Sequence, residues 1–153
     1  MPDLVRPNRE ELNMRKKLHK KEMITEEMLD AWYREYIENE SDEAMYRLIW
    51  CGGCEDFVGE CGWRKEAGRY ELLLYVLPSL RRCGYGTDSL ALVLQEAEKK
   101  GITHLYAHMP EDEESLFFLK HRGFEETQDG LFTIETGRKP CTKQSCRCRR
   151  HDS

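Results

Sequence analysis

No apolar run in this chain approaches the roughly 18 residues that a membrane-spanning helix requires, which excludes a helical membrane protein. The opening Met-Pro-Asp-Leu-Val-Arg lacks the hydrophobic stretch of an export signal, so a soluble, cytoplasmic protein with no membrane partner is expected. No internal repeat is visible. With 153 residues and 39% hydrophobic content the chain can bury one core, and a single domain follows. Seven cysteines, an odd number in a chain without an export signal, argue for reduced thiols rather than a disulfide framework. Acids are scarce in one segment. From Gly137 onward there are six Lys/Arg and one acid, whereas the preceding 136 residues carry 18 basic and 28 acidic side chains. The expected organisation is a domain over 1–136 and a basic, Cys-rich tail over 137–153. An acidic body steers amines and cations better than nucleic acid.

The most informative stretch is Leu77-Pro-Ser-Leu-Arg81-Arg82-Cys83-Gly84-Tyr85-Gly86-Thr87. A β-branched and aliphatic run, Glu71 to Leu77, stops at Pro78; a basic, glycine-bearing turn follows; apolar residues then recur at helical spacing from Thr87 to Lys100. Strand, loop and helix in this order aim backbone N–H groups and the positive end of a helix dipole at one point, and Arg81 and Arg82 add charge. The loop suits phosphate. Two familiar phosphate loops are excluded: no Lys follows Gly86, as a Walker loop needs, and Ser89 stands where a dinucleotide fingerprint needs its third glycine.

The remainder of the chain reads as strand Leu4 to Pro7, a helix capped by Asn8 and extended by the basic run Arg15 to Lys21, and a second helix opened by Thr25-Glu26-Glu27-Met28. That second helix carries Met28, Leu29, Trp32, Tyr33, Tyr36 and Ile37 on an apolar stripe, read first as core. Strands Met45 to Trp50 and Phe57 to Arg64 are joined by a glycine turn at Cys51-Gly52-Gly53-Cys54, and Glu71 to Leu77 completes the meander. In the helix from Thr87, Leu90, Val93, Leu94 and Ala97 share one face and must bury against the sheet. A strand near Thr103 to His108, a helix opened by acids Glu111 to Glu114 and stopped at Gly123, and a hairpin turning at Gln128-Asp129-Gly130 follow. The order is β-α-α-β-β-β-α-β-α-β-β, an α/β protein with a mixed, mostly antiparallel sheet of about seven strands flanked by about four helices.

Arg81-Arg82-Cys83-Gly84-Tyr85-Gly86 resembles the Arg/Gln-x-x-Gly-x-Gly/Ala signature of the GNAT acetyltransferase superfamily. The preceding strand ends in the similar Val76-x-Pro78, and Asp112 to Phe124 is similar to the family's last helix, which closes in Gly-Phe. The resemblance runs from about Leu4 to Glu135. It implies a GNAT-like fold, acetyl-CoA as co-substrate with no metal required, and transfer of acetyl to an amine by direct attack in a ternary complex. The implied donor contacts are Val76, Arg81, Arg82, Cys83, Gly84, Tyr85, Gly86, Thr87 and Asp112. The last stands where the family usually has Asn. Strands around Val76 and His108 are expected to splay, freeing main-chain groups for the pantetheine arm, and an N–H near Val76 would polarise the thioester carbonyl. The early helices would wall the acceptor groove, and paired subunits are frequent among similar proteins.

Attack on a thioester requires a deprotonated amine, and an alkylamine of pKa near ~10.4 is almost wholly protonated at neutral pH, so a base is needed. Glu71, ten residues before Arg81, occupies a position similar to the general-base glutamate of the histone-acetyltransferase branch. The alternative is an ordinary solvated strand glutamate. Glu60 is the second candidate. The Tyr that commonly protonates the leaving thiolate is replaced by Leu119; Tyr75, Tyr85 and His121 are the substitutes at hand. Cys141-x4-Cys146-x-Cys148-x2-His151 could ligate zinc, and Cys51-x2-Cys54 resembles half of a zinc knuckle, although the spacing matches no common pattern. Two other readings are therefore a donor-binding sensor without turnover and a zinc- or nucleic-acid-binding adaptor built on the tail.

Overall fold

The structure of the chain, a computed structural model, describes residues 2–81 and 83–137. In order, its elements are β1 (Asp3–Val5), a 3-10 turn (Glu11–Asn13) entering the short helix α1 (Met14–Leu18), and α2 (Glu26–Tyr33), continued by a π-helical turn (Arg34–Glu38). Then come β2 (Ala44–Cys51), β3 (Asp56–Glu66), β4 (Arg69–Val76), a 3-10 turn (Pro78–Leu80), α3 (Tyr85–Lys99), β5 (His104–His108), α4 (Glu113–His121), β6 (Glu125–Glu126) and β7 (Leu131–Glu135). Among the described residues this is the expected order and class. Arg82 and the tail residues Cys141, Cys146, Cys148 and His151 lie outside the described residues.

The local reasons are those of capping and alternation. Asn8 Oδ1 accepts from the Glu11 amide at 2.7 Å while Glu11 Oε1 accepts from the Asn8 amide at 3.0 Å, a reciprocal capping box. Thr25 Oγ1 accepts from Met28 N at 3.1 Å to start α2. The sheet runs β1-β2-β3-β4-β5-β7-β6, antiparallel throughout except for the β4–β5 pair. One face packs on α3 and α4 through Met45, Ile49, Trp63, Leu90, Leu94 and Phe132; the other packs on α1 and α2 through Leu12, Leu18, Leu29, Ile37, Tyr46 and Leu48. The α3 stripe Leu90, Val93, Leu94 and Ala97 is buried as its spacing requires, at roughly 1.5–3 kcal/mol per large side chain, and this holds the first turn of the helix in place.

Four details differ from the sequence reading. Helix α1 stops at Leu18 rather than running through the basic residues, because His19 leaves the helix (φ −118°, ψ 56°) and its ring turns to a buried carboxylate. Met28 is 53% exposed; the core side of α2 is carried by Leu29, and that of the π-helical turn by Tyr36 and Ile37. The left-handed residue of the β2–β3 turn is Glu55 (φ 53°), not a glycine. Helix α3 begins at Tyr85, two residues early, because Gly84 adopts φ 90° as its cap, a conformation that L side chains resist.

Residues β3 and β4 share a tight contact that bears on the site. A Cβ built on Gly59 would lie 2.2 Å from the Tyr75 carbonyl oxygen, which is backbone and cannot yield. Gly59→Ala is therefore expected to destabilise the protein by about 3 kcal/mol, read as a fall in the urea midpoint at unchanged m-value.

Candidate functional site

The site begins where a parallel ladder stops. β4 and β5 are parallel, and their only registered pair is Glu71 with Tyr106, so the ladder does not continue from that point toward their C-terminal ends. In an extended strand the N–H and C=O of one residue point to the same side and alternate between neighbours. Leu77 N donates to Val58 O on β3 at 2.9 Å, so the main-chain groups of Val76 face the opening instead. Arg81 Nε, from the loop beyond, donates to the Val76 carbonyl at 3.0 Å.

Helix α3 points its first turn at the same opening. Its first internal bond is Asp88 N to Gly84 O at 3.0 Å, which leaves the amides of Gly84, Tyr85, Gly86 and Thr87 without acceptors inside the helix. Gly86 sits against the far wall: a Cβ there would be 3.3 Å from the Phe118 ring of α4 and 4.0 Å from Val76. Thr87 contributes only its backbone, since its buried hydroxyl accepts from Arg122 Nη1 at 3.4 Å. Cys83 is half-buried in the loop. The Tyr85 hydroxyl reaches away to the β2–β3 turn, 3.0 Å from Cys51 Sγ and 3.6 Å from Cys54 Sγ. Arg81 spans the mouth, with Nη1 3.3 Å from Glu114 of α4 and its guanidinium 5.2 Å from the Tyr75 ring centre. Asp112 caps α4, accepting from Ser115 N at 2.6 Å and Ser115 Oγ at 2.9 Å; these bonds hold its carboxyl below the usual range.

The two carboxylate candidates are separated by burial. Glu71 lies on the α1/α2 face of the sheet with Leu73 and Tyr75, its side chain 20% exposed, and its Oε1 is 3.0 Å from Nε2 of the largely exposed His108 at the end of β5. Glu60 has no exposed surface. Arg15 Nε at 3.0 Å, Arg15 Nη2 at 3.4 Å, Tyr46 Oη at 2.6 Å and His19 Nε2 at 2.8 Å surround its carboxylate. Arg15 in turn stacks 3.7 Å above the Trp32 ring centre. Burial opposes ionisation of Glu60, but the bonds from His19, Arg15 and Tyr46 overcome it and lower its pKa; the Tyr46 hydroxyl is pushed up by burial and by Glu60. This network ties α1 to β2 and β3. Leu119 is buried in the core, and His121 is occupied on the surface, 2.9 Å from the Phe117 carbonyl and stacked on its ring.

Neither His partner is visible as such in the sequence. His108 finds Glu71 only through the parallel pairing of distant strands, and His19 finds Glu60 only because α1 ends early. Among the described residues no cluster of three or more His, Cys, Asp or Glu is placed to hold a metal ion.

The model of the acetyltransferase (GNAT) family matches residues 12–124. The chain belongs to that family. It is an acetyl-CoA-dependent N-acetyltransferase, and its architecture is shared with solved GNAT structures at low identity. The Escherichia coli ribosomal-protein-S18-alanine N-acetyltransferase is 15% identical with a TM-score of 0.65, covering 89% of this chain and 94% of that one. The PaiA N-acetyltransferase of Thermoplasma acidophilum, solved with coenzyme A, is 18% identical with a TM-score of 0.58, covering 88% and 98%. YncA of Salmonella typhimurium, solved with acetyl-CoA, is 16% identical with a TM-score of 0.67, covering 88% and 94%. No curated protein matches in sequence. Among the described residues of this GNAT protein no helix is long and apolar enough to cross a membrane.

The Glu60 network makes a stability prediction for this GNAT domain. Glu60→Gln leaves Arg15 buried against a neutral amide and is expected to cost about 3–5 kcal/mol. Because the folded pKa of Glu60 is depressed, its contribution is complete above the ordinary carboxylate value and is lost as pH falls through that value toward the folded one. Denaturant midpoints measured from neutral to acid pH should therefore drop less steeply for Glu60→Gln than for the wild type.

Proposed function

We propose that this GNAT protein transfers acetyl from acetyl-CoA to an amine of a small molecule or protein by direct attack, with the donor lying in the β4–β5 opening. The observation that carries the reading is the single Glu71–Tyr106 pairing, with the ladder stopping on the side of Val76, His108 and the first turn of α3. The pyrophosphate would sit on the amides of Gly84 to Thr87, with Arg81 turning to it from Glu114. The pantetheine arm would take the main-chain groups of Val76, replacing the present bond from Arg81, and the Val76 N–H would receive charge that develops on the thioester oxygen.

Glu71 serves as the base. His108 engages Oε1 and leaves Oε2 to accept the amine proton directly or through water; the histidine, open to solvent, gives that proton a way out. The amine lone pair then attacks the carbonyl carbon, the tetrahedral oxyanion collapses, and the C–S bond breaks. Leu119 offers no acid, so coenzyme A leaves as thiolate, which its pKa near ~8.5 makes tolerable, and the remaining proton of the attacking nitrogen passes through solvent water to the thiolate. Glu60 does not suit this role, because Arg15, His19 and Tyr46 already fill its lone pairs and desolvate it. Tyr75, its ring 4.9 Å from that of His19 and 5.2 Å from the Arg81 guanidinium, would wall the acceptor side rather than donate a proton. The acidic composition of the body favours an amine acceptor over nucleic acid.

Thiol release from acetyl-CoA across a panel of small amines, polyamines and peptide N-termini tests this. Glu71→Gln is expected to lower kcat by roughly 10²–10⁴-fold with coenzyme A affinity retained; donor binding with no release on any amine would favour a sensor instead. Gly84→Ala, which places a Cβ at φ 90°, is expected to weaken coenzyme A binding in calorimetry while leaving Glu71 in place.

A further inference from the structure

We infer that Cys51 and Cys54 form a redox-active dithiol that clasps Tyr85 when reduced and releases it on closing to a disulfide, coupling the redox state of the β2–β3 turn to the α3 loop. Both sulfurs converge on one atom: Tyr85 Oη lies 3.0 Å from Cys51 Sγ and 3.6 Å from Cys54 Sγ, so the sulfurs are no farther apart than those distances laid end to end. The amide of Cys54 donates to Cys51 Sγ at 3.2 Å, folding the turn over the pair. The residues between offer no obstruction. A Cβ on Gly52 would meet nothing, and one on Gly53 would meet only Cys51 Sγ at 3.9 Å.

The two thiols differ as a nucleophile and its resolving partner should. Cys54 is exposed and can meet a bulky reagent; Cys51 is buried beside it. The hydroxyl of Tyr85 and the groups of Cys54 hold the Cys51 thiol below its ordinary pKa, while Cys51 pushes the Tyr85 hydroxyl up, which fits Tyr85 donating to Cys51 Sγ. Cys61 contrasts with both, fully buried, with its thiol pushed up by desolvation.

The oxidant required is a low-molecular-weight disulfide. Cys54, losing its proton to water, attacks one sulfur of the disulfide and expels the other half as a thiol. Cys51 thiolate then attacks Cys54 Sγ, forms the Cys51–Cys54 bond and expels the second thiol. Two electrons pass from the protein dithiol to the reagent, and two thiols leave. Tyr85 is the first residue of α3 and lies between Gly84 and Gly86, so the loss of its sulfur partners acts on the segment assigned to the pyrophosphate. That consequence rests on the donor site proposed above; the dithiol chemistry does not.

The test incubates the full chain in oxidised and reduced glutathione, alkylates free thiols, and maps peptides, with coenzyme A affinity measured by calorimetry on each form. A Cys51–Cys54 linked peptide is expected, with affinity weakened about fivefold or more on oxidation and restored by dithiothreitol. In Cys54→Ser the affinity is expected to be the same in both buffers. Cys51 and Cys54 remaining alkylatable in excess oxidised glutathione, or pairing with other cysteines, would overturn the dithiol. A mapped disulfide with unchanged affinity would overturn the coupling. Absence of coenzyme A affinity in the reduced form would overturn the donor site while leaving the peptide map to judge the dithiol.

Discussion

One constraint organises this molecule: a parallel ladder between two strands that consists of the single pair Glu71 and Tyr106. A parallel ladder that stops after one pair leaves main-chain groups facing a gap, and buried backbone polar groups must find partners. Everything around the gap answers that requirement. Gly59 lets β3 approach β4 closely enough to hold the Tyr75 carbonyl on the far side, so Val76 is turned to the opening. The α3 stripe fixes the helix whose amides border the same space, and Phe118 against Gly86 sets the distance between α3 and α4.

Burial, rather than residue type, separates the two Glu–His pairs on the α1/α2 face. Glu60 and His19 belong to a closed network in which every acceptor is used and the negative charge is matched by Arg15. Such a pair is costly to break and has nothing to offer a substrate. Glu71 and His108 have similar geometry, 3.0 Å against 2.8 Å, but the histidine stands in solvent and the carboxylate is only partly covered. Proton exchange needs that contact with water, and distance alone does not distinguish the two.

The secondary elements were legible because their signals are local. Asn8 and Thr25 act within a few residues, and the Leu90, Val93, Leu94, Ala97 stripe declares its buried face by spacing alone. The strand–loop–helix order around Gly84 was legible for the same reason. What the sequence did not disclose are contacts made across long separations: Arg15 and His19 to Glu60, His108 to Glu71, and the two turn cysteines to Tyr85, each joining segments some 31 to 45 residues apart. Side-chain competition also escaped the local reading. Asp112, placed by analogy at the donor, spends both oxygens on Ser115, and Thr87 turns its hydroxyl to Arg122.

Arg81 ties the walls of the opening to one another. Its guanidinium satisfies the Val76 carbonyl and bridges to Glu114 on α4 by a charge-assisted bond and a partly exposed ion pair. A pantetheine amide can replace the first, and a diphosphate can outcompete the second for the arginine, because it offers more negative charge than one carboxylate beside a helix N-terminus. Donor binding then exchanges bonds rather than creating them on bare backbone, and its net free energy is correspondingly smaller than the number of contacts suggests. The same bond explains how a main-chain carbonyl can face the gap: one side chain, supplied by the loop proposed above to hold phosphate, keeps Val76 paired.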